Sequence, residues 1–147
     1  MAAIVFLIPV LALGAELGRV TKVIDGDTIK VRMSGRVEKV RLIGVDTPET
    51  VDPRREVEYF GREASEFTRK LALGEEVLLE PDPQCSNRDK YSRLLRYVYL
   101  EDGTLLNAEI IVQGYGFAYT KYPFSRMKEF RKLEKRARQE GRGLWAE

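Results

Sequence analysis

The sequence contains no histidine and a single cysteine, Cys85. One cysteine rules out an intrachain disulfide. The lack of histidine rules out zinc centres of the Cys/His type and every acid–base scheme that relies on imidazole. Any catalysis must therefore use carboxylates, guanidinium groups, amines, hydroxyls, or a hard cation held by oxygen. Long apolar runs are also scarce. The run MAAIVFLIPVLALGA at residues 1–15 has no charged side chain and falls short of the ~20 residues of a membrane span. It suits a signal-peptide core, with Ala12, Gly14 or Ala15 near the cleavage point, although no Lys or Arg precedes it. The expectation is an exported protein, secreted or periplasmic, with residues 1–18 removed. The alternative is a protein anchored to a membrane by residues 1–15.

What remains is enough for one domain, residues 19–147, starting near Glu16 to Arg19. With 147 residues, 44% of them hydrophobic, the chain can bury one core but not two. The net charge is +2, unevenly spread: nine Lys/Arg and three Glu lie between Lys121 and Arg142. Nucleic acid or another anionic surface is a possible partner on this ground, which is weak by itself.

Polar–apolar alternation predicts strands over 19–24 and 28–33, a turn at Ser34-Gly35, and a third strand through Val37, Val40, Leu42 and Val45 with a bulge at Gly44. These three form an antiparallel meander. Residues 51–60 read as an exposed loop. Ala64, Phe67 and Leu71 recur at helical spacing, with Gly74 as the stop. Two further strands follow at 75–80 and 93–100, separated by the turn-rich loop PDPQCSNRDK. Asn107 is the expected N-cap of a short apolar helix ending at Gly114. A last amphipathic helix spans about Ser125 to Gly141, with Met127, Phe130, Leu133 and Ala137 inward. The fold class is α+β, mainly β: a five-stranded OB-fold barrel with three helices.

Asp27 and Asp46 each stand where an apolar β pattern meets turn residues. If the first and third strands are neighbours, both carboxylates converge at one sheet edge. Two such groups repel unless a cation or proton lies between them, and a hard oxygen-loving ion such as Ca²⁺ resolves this. Taken singly, each Asp is an ordinary turn residue. Glu49 could position or deprotonate a water in a chain without imidazole; alone, it reads rather as a solvated glutamate entering a polar loop. Arg41 and Arg93 begin strands and could grip a phosphate, or simply pair with a nearby acid. Tyr91 and Tyr119 suit either packing or base stacking, whereas Tyr97 and Tyr99 suit the core.

The segments IDGDT (24–28), RLIGVDTPET (41–50), YFGREASEFTRKL (59–71), DKYSR (89–93), NAEIIVQGYGFAY (107–119) and GLWAE (143–147) together resemble the staphylococcal nuclease (thermonuclease) family. The likeness in order and spacing covers nearly all of the chain after about Arg19. It implies a five-stranded OB barrel with three helices and a monomer with no obligate protein partner. It also implies hydrolysis of DNA and/or RNA at the 5′-O–P bond, leaving 3′-phosphates. Carried over by position, it implies one Ca²⁺ held by Asp27, Asp46 and the Thr47 carbonyl, with Glu49 on the attacking water. Arg41 and Arg93 then grip the phosphate, and Tyr91 and Tyr119 line the nucleotide pocket. Ser92 departs from the pattern, which often has glycine there; a positive φ at this position would strain serine. The alternative to an enzyme is an OB module that binds nucleic acid without cleaving it.

Overall fold

The computed structural model describes residues 14–49 and 59–146. The apolar run 1–13 and most of the loop expected at 51–60 lie outside the described residues, and the anchor and most of the signal-peptide expectation fall there; Glu16, Leu17 and Gly18, expected to be removed with the leader, lie instead in the first barrel strand. Among the described residues, no helix is long and apolar enough to cross a membrane.

Five strands close into a barrel: β1 (Glu16–Asp25), β2 (Thr28–Met33), β3 (Arg36–Leu42), β5 (Glu76–Glu80) and β6 (Leu94–Tyr99). Their order around the barrel is β1-β2-β3-β6-β5, and β5 pairs back onto β1. All pairs are antiparallel except β3 with β6, where Arg41 stands opposite Leu95. The alternation that marks the strands is the alternation that fills the barrel. Ile29, Val31 and Met33 of β2 point inward, as do Val40 and Leu42 of β3, all nearly or fully buried. Each such aliphatic side chain contributes roughly 1.5–3 kcal/mol of transfer free energy.

Two expectations need correction. The third strand does not run to Val45 through a bulge. It stops at Leu42, the chain turns at Ile43-Gly44, and a separate two-residue strand β4 (Val45–Asp46) pairs with β7 (Phe117–Ala118) outside the barrel. Gly44 makes the turn at φ 75°, and a Cβ on it would lie 2.6 Å from the Phe124 ring, so both backbone and packing require glycine here. Asn107 is also not a helix cap. Leu105 occupies that position, and helix α2 (Leu106–Val112) has no side-chain cap. Asn107 lies two residues further in, as the second residue of the helix, completely buried. Its Oδ1 accepts from Val98 N–H at 2.9 Å, and its Nδ2 donates to the carbonyls of Ile43 at 2.9 Å and Arg96 at 3.3 Å. One amide thus ties a helix to β6 and to the Ile43-Gly44 turn.

Helix α1 (Gly61–Ala72) packs along β1, with Ala64, Thr68 and Ala72 buried and Phe67 stacked on Tyr115 at 4.1 Å. Helix α3 (Met127–Gln139) is shorter than the expected 125–141 and buries Phe130 and Ala137. The closing Gly143–Trp145 forms a 3-10 turn. Tyr97 and Tyr99 are buried, as expected for core residues.

Candidate active site

The β1–β2 turn supplies the first carboxylate. Gly26 and Asp27 make the turn between Asp25 and Thr28, which pair across it. The Gly26 carbonyl accepts from Thr68 Oγ1 of α1 at 2.7 Å. A Cβ on Gly26 would fall 2.9 Å from Thr47 Oγ1, so the bare glycine lets the Asp46-Thr47 segment lie directly over the turn. Asp27 is buried at 7% exposure. Its Oδ1 accepts from Thr28 Oγ1 at 2.8 Å and its Oδ2 from Thr47 N–H at 2.9 Å.

Arg41, at the end of β3, joins this carboxylate to the second one. Its Nη2 lies 3.4 Å from Asp27 Oδ2 and 3.6 Å from Asp46 Oδ1. Its Nη1 donates to the carbonyls of Leu42 at 2.9 Å and Val45 at 2.5 Å. The guanidinium is thereby locked to the turn that separates β3 from β4, and it lies 5.9 Å from the Tyr119 ring centre. The route to this meeting differs from the expected one. β2 separates β1 from β3, so the two strands are not neighbours. Convergence arises because Thr28, next to Asp27, pairs with Arg41 across the β2–β3 ladder.

Arg93 faces the same cleft from the loop that leads into β6. Its Nε donates to Asp89 Oδ2 at 2.7 Å, while Asp89 Oδ1 accepts the backbone N–H groups of Arg93 at 3.0 Å and Tyr91 at 2.9 Å. Partial burial opposes ionisation of Asp89, but these hydrogen bonds and the Arg93 charge outweigh it and hold its pKa below the ordinary range. The Arg93 guanidinium lies 5.2 Å from the centre of the Tyr91 ring, which is 66% exposed. Ser92 between them has φ 64°, so the strain that the sequence raised as a condition is present; it costs about 1–2 kcal/mol for a residue with a Cβ.

A cleft of about 700 Å³ joins the two sides, walled by Arg41, Asp46, Tyr91, Arg93, Tyr119 and Lys121 among others. Asp27, Thr47 and Glu49 are not part of that wall. Glu49 is half-buried at the end of the described run 14–49. Thus Asp27, Arg41, Asp46 and Thr47 come together directly, Tyr91, Arg93 and Tyr119 complete the cleft, and Glu49 follows Asp46 and Thr47 along the same segment. Tyr122 also lines the cleft and is 62% exposed. Burial pushes the Cys85 thiol up to about 11, so at neutral pH it is protonated and no nucleophile.

Sequence reasoning missed Asp89 and Asp82. Asp89 lies inside the quoted DKYSR run, and its spacing from Arg93 was the available signal. Asp82 is buried and accepts from Tyr97 Oη at 2.6 Å, from Ser125 N–H and Ser125 Oγ at 2.7 Å each, and from Gln84 N–H at 2.9 Å. It binds together the two loops that form the far cleft wall, and nothing in PDP announced this role.

The donor set fits a hard cation. Two carboxylates beside one guanidinium leave a net negative charge, and every candidate ligand is oxygen. Among the described residues, no cluster of three or more Asp, Glu, His or Cys is present, so an ion here would rely on the Thr47 carbonyl and on water to complete its shell.

A family profile described as staphylococcal nuclease homologue matches residues 39–147. The chain is similar to thermonuclease from Staphylococcus hyicus, 37% identical over 129 residues, which span 87% of this chain and 75% of that protein. It is 47% identical over 95 residues to thermonuclease from Staphylococcus intermedius, spanning 65% and 55%. With endonuclease YncB of Bacillus subtilis (strain 168) it shares 37% identity over 127 residues, spanning 85% and 59%. The matched regions thus cover from just over half to three quarters of these relatives.

Proposed function

The chain belongs to the staphylococcal nuclease family, and from that premise we propose that it is a calcium-dependent phosphodiesterase acting on DNA and/or RNA. The observation that carries the reading is the single Arg41 guanidinium set between Asp27 and Asp46 at the edge of a cleft that Arg93 faces. A binding module needs cationic groups along a groove. It does not need a pair of acids gathered at the groove's edge, where they repel a polyanion.

In this reading Asp27, Asp46 and the Thr47 carbonyl would hold one Ca²⁺, which when bound supplies positive charge for a non-bridging phosphate oxygen. Arg41 and Arg93 grip that phosphate and stabilise the charge that builds on its oxygens as the bond order shifts. Glu49 orients the attacking water or takes its proton. The water oxygen bonds to phosphorus, the bond to the 5′-oxygen breaks, and that oxygen leaves with a proton; the 3′-phosphate remains on the preceding fragment. Tyr91 and Tyr119 flank the nucleotide. The same reading takes the protein to be a monomer exported from the cell, with a leader that ends before β1 begins at Glu16 rather than at residue 18.

The test is direct. Purified protein with calcium should degrade single-stranded DNA, and EDTA should stop it; activity that persists in EDTA would exclude the metal role. Glu49→Gln should lose most of the rate while keeping binding. An unchanged phenotype in that variant favours a non-catalytic module. Calcium affinity measured by calorimetry should fall as the pH approaches the carboxylate range, because the ligands must be ionised.

A further inference from the structure

The turn that carries Arg93 is held from outside by groups with no part in the chemistry above. Ser92 N–H donates to the Asp89 carbonyl at 3.0 Å, Asp89 N–H to the Arg93 carbonyl at 2.9 Å, and Leu95 N–H to the Asn87 carbonyl at 3.1 Å. Where this turn re-enters β6, Ser92 takes φ 64°. A residue with a Cβ tends to leave that conformation unless its flanking peptides are fixed. Both are held: the preceding one by the Ser92 N–H bond to the Asp89 carbonyl, and the following one by Arg88, whose Nη1 donates to the Ser92 carbonyl at 2.9 Å.

Arg88 is itself anchored to the barrel. Its Nη1 and Nη2 reach Glu38 Oε1 at 3.0 Å and Oε2 at 2.6 Å, a two-point fork. Glu38 lies in β3, the strand that carries Arg41, and also accepts from Arg36 Nε at 3.0 Å. The other end of the turn is gripped by the buried Arg96, whose Nη2 donates to Asn87 Oδ1 at 2.7 Å. Neither Arg88 nor Glu38 lines the cleft.

We propose that Arg88 is a positioning residue for Arg93, acting through the Ser92 carbonyl with Glu38 as its anchor. This rests on the nuclease reading of the cleft. Among the described residues, the side chain that hydrogen-bonds Arg93 is Asp89, and Asp89 sits in the same turn; both move if the turn moves. β3 already pairs with β6 from Leu94 onward, and the Glu38–Arg88 fork extends that tie to the turn just before it, so the two guanidinium groups share one rigid frame. A displacement on the order of 1 Å at such a group can cost roughly a hundredfold in rate. If Arg88 instead served as a cation for the polyanion, removing the acid beside it would help binding. The two accounts therefore give Glu38→Gln opposite signs.

The measurement is kcat and KM on single-stranded DNA with calcium for the parent, Arg88→Gln, Glu38→Gln, and Arg88→Gln combined with Ser92→Gly. Both single variants should lose roughly tenfold or more in kcat with KM within about twofold. Ser92→Gly should restore most of the loss, because glycine holds a positive φ without a brace. Should thermal unfolding show that Arg88→Gln does not fold, Arg88→Lys, which keeps the charge but not the fork, takes its place with the same expected loss. An undiminished kcat in Glu38→Gln, or no restoration by Ser92→Gly, overturns the positioning role. A parent protein that cleaves nothing overturns the nuclease reading instead, a result distinct from any pattern among the variants.

Discussion

Arg41 and Arg93 offer the same chemical group to the same cleft from two very different supports. Arg41 grows out of a barrel strand, and its Nη1 is clasped by two backbone carbonyls of its own chain segment. Arg93 grows out of a turn with a strained Ser92, where side chains add to a few backbone bonds: Asp89 within the turn, and Arg88 with Glu38 against the barrel. The first support is backbone: the strand ladder under Arg41 and the two carbonyls its guanidinium donates to, all set when the fold forms. The second leans on charged side chains, so it responds to pH and to single substitutions. One half of the site is inherited from the barrel; the other is assembled on it.

The sharpest way to break the comparison is to remove each guanidinium. Arg41→Ala and Arg93→Ala should each lower kcat/KM by roughly 10²–10³-fold, the scale of a lost transition-state donor. They should differ in stability. Arg41→Ala leaves the buried Asp27 carboxylate without its cation and should lower Tm clearly, whereas Arg93→Ala strands only the partly exposed Asp89 and should lower it less. Equal turnover in either variant removes that residue from the mechanism.

Asp89→Asn comes next. It weakens the bond to Arg93 Nε but keeps an oxygen for the turn's N–H groups, so a loss of about 1–3 kcal/mol in stability is expected from denaturant melts. A loss of activity larger than the loss of stability would mark Asp89 as a device for aiming Arg93.

A smaller effect separates the two supports by pH. The hydrogen bond from Arg88 outweighs the cost of burial and holds the Glu38 carboxyl down to about 2, against an ordinary value of 4.5. A carboxyl depressed in the folded state adds stability above its unfolded value and loses it as the pH falls toward its folded value. Tm of the parent should therefore drop between about pH 4.5 and 2 more steeply than Tm of Glu38→Gln, as read by thermal melts across that window. Parallel profiles would mean that the anchor carries no stability. The smallest effect is Ser92→Gly in the otherwise intact protein. Removing the Cβ should stabilise by up to about 1 kcal/mol, with kcat nearly unchanged while Arg88 is present.

Much of this molecule was readable along the chain. Strand positions, the first helix and the buried tyrosines follow from periodicity, because a two-residue alternation can only bury one face. Asp27, Arg41, Asp46, Glu49 and Arg93 stand out as site candidates through the resemblance that their order and spacing carry, since singly each reads as an ordinary turn, loop or strand-end residue. Asn107 shows where reading along the chain fails. A polar residue at the head of an apolar helix looks like a cap, and only the packed structure shows its amide buried among three backbone groups of other segments. Asp82 fails for the same reason, as its partners lie as far away as Ser125.

What the sequence determined by itself is local: where strands alternate, where glycine allows a turn, and which chemical groups exist at all. Tertiary structure decided which of those groups meet. Asp27 and Asp46 meet around Arg41 because β2 folds back and sets Thr28 against Arg41, and the turn of Arg93 is held by Asp89 within it and by Glu38, 50 residues back in sequence from Arg88. Those meetings depend on strand register and on contacts between residues remote in sequence. Neither is encoded in any short window of residues, because the energy that selects them appears only when the barrel closes.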